Sequence, residues 1–283
     1  MQAVLISVFS TEASRCVTPI GMNKVLVSMA FFFGVVGAVQ ARPIAVVDLD
    51  HTVFHTNFRI QKILSDLGKK HKILELEHVT LAEIIEFRSI REAAPLAQFI
   101  ERVQPTFKDA FYRESSYLDF EAPMLGAQSF LSELVDVYGF DLVYLTGRGS
   151  EAFFDATKVE LARANYPGFG ARADLHEHVR LILKPESFSG TTAEFKVEQL
   201  KSIESELSPI VAIFDDSSRN LTAFYLNYGS RVVLVRIGQY RESELDTKIS
   251  SHVVTLKHFL ISREREELLR KLSNSCVAGL TKR

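Results

Sequence analysis

Two cysteines, Cys16 and Cys276, are all that 283 residues contain, and they stand far apart without metal-ligand spacing. That argues against a disulfide scaffold and against a cysteine-based zinc site. Net charge is also lacking, since 33 Lys and Arg against 35 Asp and Glu leave a formal -2. Without a basic excess there is no electrostatic footprint for nucleic acid, and without an acidic block there is no sign of a charged disordered tail. Internal repeats and low-complexity segments are missing as well. What remains is 47% hydrophobic and 24% charged, the make-up of a globular protein. Its length suits one large domain, or a core domain carrying an insertion.

The N-terminus reads separately. Met22-Asn23-Lys24 precedes an apolar stretch from Val25 to Val39, followed by Gln40-Ala41. A basic start, a short apolar middle and small residues at the exit have the form of a secretory signal, with cleavage expected after Ala41. A membrane span needs about 20 apolar residues, so the run is short for an anchor. Residues 1–21 read as an upstream extension, and translation from Met1 or from Met22 stays open. The mature chain is then expected outside the cytoplasm, periplasmic or secreted, with Cys276 as its remaining thiol.

The central stretch is Pro43 to Thr56, PIAVVDLDHTVFHT. Ile44 to Val47 is a continuous apolar run that predicts a buried parallel strand, and it ends on Asp48, with Asp50 and Thr52 two and four positions on. An Asp there also serves simply to stop a strand. Residues 57–118 then show helical spacing in Phe58–Leu67, Leu81–Glu92 and Leu96–Arg113, which predicts a helical cap inserted after the first strand. The core is expected to comprise residues 42–56 and 119–283. Strands are predicted at Phe140–Leu145, Val179–Leu183, Ile210–Phe214 and Arg231–Val235. Helices alternate with them, and a last helix is expected from about Leu256 to Leu272. Alternation of this kind predicts an α/β fold, a doubly wound, Rossmann-like parallel sheet.

Three of these strands run into reactive residues: Asp48 and Asp50, Thr146 with Gly147, and Asp215 with Asp216. In such a sheet they share the crevice at the carboxyl ends of the strands. Each is weak alone, because Thr-Gly is usually a turn and paired Asp often caps a helix. Together, carboxylates from two strands make an oxygen-rich site for Mg²⁺, and a hydroxyl, a backbone N–H and a lysine suit a phosphoryl group. Asp48 can attack phosphorus, while Asp50 can protonate the leaving oxygen and later deprotonate water. For that work Asp50 is expected to have a raised pKa. A calcium loop is ruled out, because Val53 stands where glycine is needed and Arg59 where the bidentate Glu belongs.

Taken in order, Asp48-Leu49-Asp50-His51-Thr52, Leu145-Thr146-Gly147-Arg148, Lys196 and Asp215-Asp216-Ser217-Ser218-Arg219-Asn220 resemble the four motifs of the haloacid dehalogenase superfamily, in its phosphatase branch. The resemblance covers residues 43 to 236. It implies that Asp48 is nucleophile and Mg²⁺ ligand, with the Leu49 carbonyl, Asp216 and the neighbouring Asp215 also at the metal and Asn220 supporting them. It implies Asp50 as general acid/base, Thr146 and Gly147 on the phosphoryl oxygens, and Lys196 offsetting charge, with Lys184 as the rival lysine. The implied reaction is hydrolysis of a small phosphorylated substrate through an aspartyl-phosphate. Export and the helical insertion make the chain similar to secreted bacterial acid phosphatases. Phosphoryl transfer to an alcohol, or an idle binding protein on the same fold, stay open as alternatives.

Overall fold

The computed structural model describes residues 42–90, 95–206, 208–238 and 247–280. Cys16, the expected export segment and the Ala41 cleavage point lie outside the described residues, as does the side chain of Cys276.

Strand β1 (Ile44–Val47) is wholly buried and is followed by the two-residue strand β2 (Phe54–His55). Four helices come next: α1 (Asn57–His71), α2 (Leu74–Glu77), α3 (Leu81–Ile90) and α4 (Ala97–Arg113). A 3₁₀ turn at Ser115–Phe120 leads to β3 (Ala122–Pro123). The remainder alternates: α5 (Ala127–Asp136), β4 (Asp141–Gly149), α6 (Ser150–Arg163), β5 (Val179–Lys184), α7 (Thr192–Glu206), β6 (Ile210–Asp215) and α8 (Ser218–Tyr228). It ends with β7 (Val233–Ile237), α9 (Thr247–Ser250), β8 (Val253–Leu256) and α10 (Arg263–Leu280).

Six strands form one sheet in the order β5-β4-β1-β6-β7-β8, every pair parallel. Side chains alternate across a strand, so each strand feeds two cores. Ala45 and Val47 join Leu142, Tyr144 and Phe214 on one face; Ile44 and Val46 join Val143, Leu145 and Ile213 on the other. Helices cover both faces, which is why β1 has no polar side chain. Each large apolar side chain buried here contributes about 1.5–3 kcal/mol. The α/β architecture is as expected from sequence.

The helices between β2 and β3 enclose a cluster of their own, in which Ile60, Ile63, Leu64 and Leu67 of α1 meet Leu76, Ile84, Ile100 and Val103. Gly68 lets α1 and α2 approach closely, since a Cβ there would lie 2.2 Å from the Glu77 backbone nitrogen. The chain leaves and re-enters the core through a shared ladder. Phe54 and His55 pair antiparallel with Pro123 and Ala122, and Met124 N–H donates to Val53 O at 2.7 Å.

The C-terminal expectation is corrected. Val253–Leu256 is an edge strand parallel to β7, and the final helix begins at Arg263 rather than near Leu256. Val253, Val254 and Thr255 are β-branched and fit a pleated surface better than a helix start. The β2–β3 ladder was also not foreseen, because two-residue strands are too short for periodicity to register. Among the described residues no helix is long and apolar enough to cross a membrane.

Candidate active site

Adjacent parallel strands bring the expected residues to one edge. Asp48 follows β1 directly and its N–H donates to Phe214 O of β6 at 2.9 Å. Asp215 is the last residue of β6, and Thr146, fully buried, lies near the end of β4. Lys196, in the first turns of α7, is 2% exposed and reaches both carboxylates, with Nζ 2.6 Å from Asp48 Oδ1 and 2.7 Å from Asp215 Oδ2. Lys184 goes elsewhere: its Nζ donates to Gly190 O at 2.8 Å and lies over the Phe188 ring. The geometry therefore separates the two lysines that the sequence left as rivals.

Asp215 is tightly held. Asn220 Nδ2 donates to both of its oxygens at 3.0 Å, and Ser217 N–H donates at 2.9 Å. Ser217, not the paired aspartates, caps α8. Asp48, Asp215 and Asp216 offer ligand oxygens that all lie within 4.8 Å of one another. Burial raises Asp48 well above the usual carboxylate range, against the pull of Lys196 and with the push of Asp215 and Asp216. Burial, with Asp215 alongside, pushes Asp216 up to about 7, opposed by Arg88 and Lys196. Lys196 is held charged because Asp215 and Asp48 outweigh its own burial. Three crowded carboxylate oxygens with one buried ammonium among them fit a hard divalent cation that binds oxygen ligands.

The Leu49 carbonyl, expected at the metal, lies in a tight turn. It accepts backbone N–H groups from Thr52, Val53 and Phe54 at 3.0–3.2 Å. These bonds would share the carbonyl with any metal bound there. The turn also places His51 at φ 61°, in the left-handed region, between the acid and the threonine. Thr52 Oγ1 donates to Asp48 Oδ2 at 3.3 Å.

Gly147 sits where a side chain has no room, since a Cβ there would lie 2.6 Å from Thr192 Cγ2. The Thr146 hydroxyl accepts the Arg148 N–H at 3.2 Å.

Asp50 differs from expectation. Burial would raise it, but Arg148 and Arg59 outweigh burial and hold it well below the usual carboxylate range. Arg148 Nη2 lies 2.8 Å and Arg59 Nη2 3.4 Å from Asp50 Oδ1. The sequence reading assigned no role to Arg59, Arg88, Glu121, Arg148 or Glu160, all of which the fold carries to this region. Arg88, from α3, lies 3.5 Å from Asp216 Oδ2 and 3.1 Å from Asn57 Oδ1, and also meets His51. A signal did exist for Arg59 and Glu160. Arg59 is four residues before Ile63 on the apolar stripe of α1, and Glu160 lies with Phe153 and Thr157 on the buried side of α6.

No protein-family model matches the sequence, and no curated protein matches it. Solved structures do resemble it. A candidate phosphatase from Clostridium difficile is 11% identical, aligned over 81% of this chain and 99% of its own, at TM-score 0.53. A predicted phosphatase from Clostridium acetobutylicum is 16% identical over 81% and 99%, at TM-score 0.51. A haloacid dehalogenase-like hydrolase from Streptococcus pneumoniae is 12% identical over 81% and 98%, at TM-score 0.50. None of these three is described as a secreted acid phosphatase. The chain thus shares the fold of these solved structures, one of which is described as a haloacid dehalogenase-like hydrolase.

Proposed function

We propose that the protein is a Mg²⁺-dependent phosphomonoester hydrolase that carries the phosphoryl group on Asp48. One observation supports this above the others: Lys196 bridges Asp48 and Asp215 at the carboxyl ends of neighbouring strands, with Asp216 beside them. The buried ammonium orients the Asp48 carboxylate for attack, and a divalent cation at the triad would offset the burial that favours its protonated form.

In the first step an Asp48 oxygen bonds to phosphorus as the ester P–O bond breaks, and the departing oxygen takes a proton from Asp50. In the second, water attacks the phosphoryl group, gives a proton to Asp50 and releases Asp48 and inorganic phosphate. Asp50 is ionised in the observed arrangement, which is its state for the second step. Its first-step role requires a proton, whose uptake the negative charge of a bound phosphate ester beside it would favour. The Thr146 hydroxyl and the Gly147 backbone would bind phosphoryl oxygens, and Lys196 would offset charge built up on them. Mg²⁺ held by Asp48, Asp215 and Asp216 would neutralise the charge that otherwise repels an anionic substrate. The pattern from Lys24 to Ala41 supports a site of action outside the cytoplasm.

The test is turnover of p-nitrophenyl phosphate by the purified protein with Mg²⁺ and with chelator. Asp48→Asn is expected to abolish the Mg²⁺-dependent rate. A wild-type rate in Asp48→Asn would remove Asp48 from the nucleophile role.

A further inference from the structure

Behind the carboxylate triad lies a second, deeper group of charges. Arg148 is saturated: all five of its side-chain N–H donors have partners. Nε donates to Asp50, Nη1 to Thr157 Oγ1 and Glu160 Oε2, and Nη2 to Asp50 Oδ1 and Glu121 Oε2. Glu121 has its side chain fully buried, and divides its two oxygens between two arginines. Oε2 lies 2.7 Å from Arg148 Nη2 and Oε1 2.8 Å from Arg59 Nη1. Arg59 in turn sits 3.8 Å over the Phe111 ring of α4 and 3.4 Å from Asp50.

The placement of these groups in the chain gives the cluster its meaning. Arg59 belongs to α1, the first helix of the insertion, while Arg148 belongs to β4 of the core. Glu121 immediately precedes β3, in the segment by which the chain returns from that insertion. A carboxylate at the junction thus spans one cation from each side, and both cations face Asp50, Arg148 through hydrogen bonds and Arg59 as an ion pair at 3.4 Å. Packing elsewhere could hold the helices in place. It would not require a buried carboxylate here, whose burial is costly unless it is paired.

We propose that Glu121 is a positioning residue that couples the seating of α1 on the core to the orientation of Asp50. With Glu121 in place, Arg59 and Arg148 converge and Asp50 is aimed by both. Without it the two guanidinium groups repel each other, α1 loosens, and Asp50 keeps one partner. This rests on the reading of Asp50 as acid/base, and the test separates the two ideas.

Four forms are compared: wild type, Glu121→Gln, Asp50→Asn and the double variant. Substrates are p-nitrophenyl phosphate, whose leaving group departs without a proton, and glycerol 2-phosphate, whose alkoxide needs one. Glu121→Gln is expected to lower kcat on the alkyl ester about tenfold or more and on the aryl ester less. KM should stay within about twofold on both. In the Asp50→Asn background, Glu121→Gln should cost nothing further, because both act through one group. An equal, independent loss in both backgrounds overturns the proposal.

Amide hydrogen exchange supplies the readout that needs no turnover. Glu121→Gln should raise exchange in α1 and in residues 50–56, with β4 and β6 unchanged; unchanged exchange in α1 overturns the coupling. Asp50→Asn running at the wild-type rate would instead remove the acid/base reading, while exchange would still decide the coupling. If Glu121→Gln does not accumulate as folded protein, Glu121→Asp keeps the charge with a shorter reach and is expected to show the same selective loss on the alkyl ester.

Discussion

Lys196 donates to Asp48 across 2.6 Å, although 148 residues separate them in sequence. The same Nζ reaches Asp215, so one ammonium holds two buried carboxylates that would otherwise repel each other. Removing one partner from a buried ion pair costs about 3–5 kcal/mol, because the remaining charges stay buried without compensation.

Lys196→Met is therefore expected to lower the thermal midpoint sharply in chelator, with part of the loss recovered on adding Mg²⁺. Turnover should fall by about a hundredfold or more even with Mg²⁺ in excess, since charge offset at the phosphoryl group is lost. Melting curves and kcat on an aryl phosphate check both halves. A variant as stable as wild type in chelator would show that the repulsion is relieved in some other way.

The Asp216 prediction concerns pH. Its folded pKa, pushed up to about 7, lies above the unfolded carboxylate value. The folded state therefore binds this proton more tightly, and the stabilisation it provides is complete below about pH 4 and is lost as pH rises through 7. Asp216→Asn removes the titration. In chelator it should be more stable than wild type by about 1–3 kcal/mol at pH 8, and lose that advantage by pH 4. Mg²⁺ competes with the same proton, so wild-type Mg²⁺ affinity should climb as pH rises through about 7. Calorimetric titration at three pH values measures it, and a flat profile would contradict the shift.

Gly147 meets Thr192, and the clash is with a side chain rather than backbone. Gly147→Ala should cost about 1–3 kcal/mol through overpacking and lower turnover as well, because the displaced end of β4 carries Thr146. Pairing it with Thr192→Ser removes the obstructing methyl group and should restore most of the stability. Failure of that rescue would place the strain in the backbone at the end of β4.

Tyr166 Oη donates to Val53 O at 2.6 Å, and the same carbonyl accepts the Met124 N–H. Tyr166→Phe leaves that acceptor satisfied, so the expected loss is about 1 kcal/mol rather than the full cost of an orphaned group. Chemical denaturation resolves the difference.

How much of this could be read from the chain depended on whether the signal was local. Ile44 to Val47 was legible because a strand buried on both faces must be apolar throughout, and the motif residues stood at the ends of such runs. The arginines were less so. Arg88 reaches Asp216 from a helix whose residues show little sidedness, and nothing in its neighbourhood marks the contact. Glu121 sits in a short linker where no periodicity applies, and its partners are 62 and 27 residues away, in α1 and β4. The state of Asp50 was misjudged for the same reason. Its pKa is set by Arg148 and Arg59, neither of which its own segment indicates as a partner. The bonds onto the Leu49 carbonyl were not legible because the tightness of the turn after it is a backbone property.

The ladder between Phe54–His55 and Ala122–Pro123 fixes the exit and the return of the chain one strand-width apart. Joining His55 to Ala122 through a two-residue Asn-Gly turn would convert it into an ordinary β-hairpin. The large sheet would not have to shift, because none of its strands lies between the two cut points. The junction thus sets where the helical segment leaves and rejoins the chain, while the strands that end at the carboxylates run on without it.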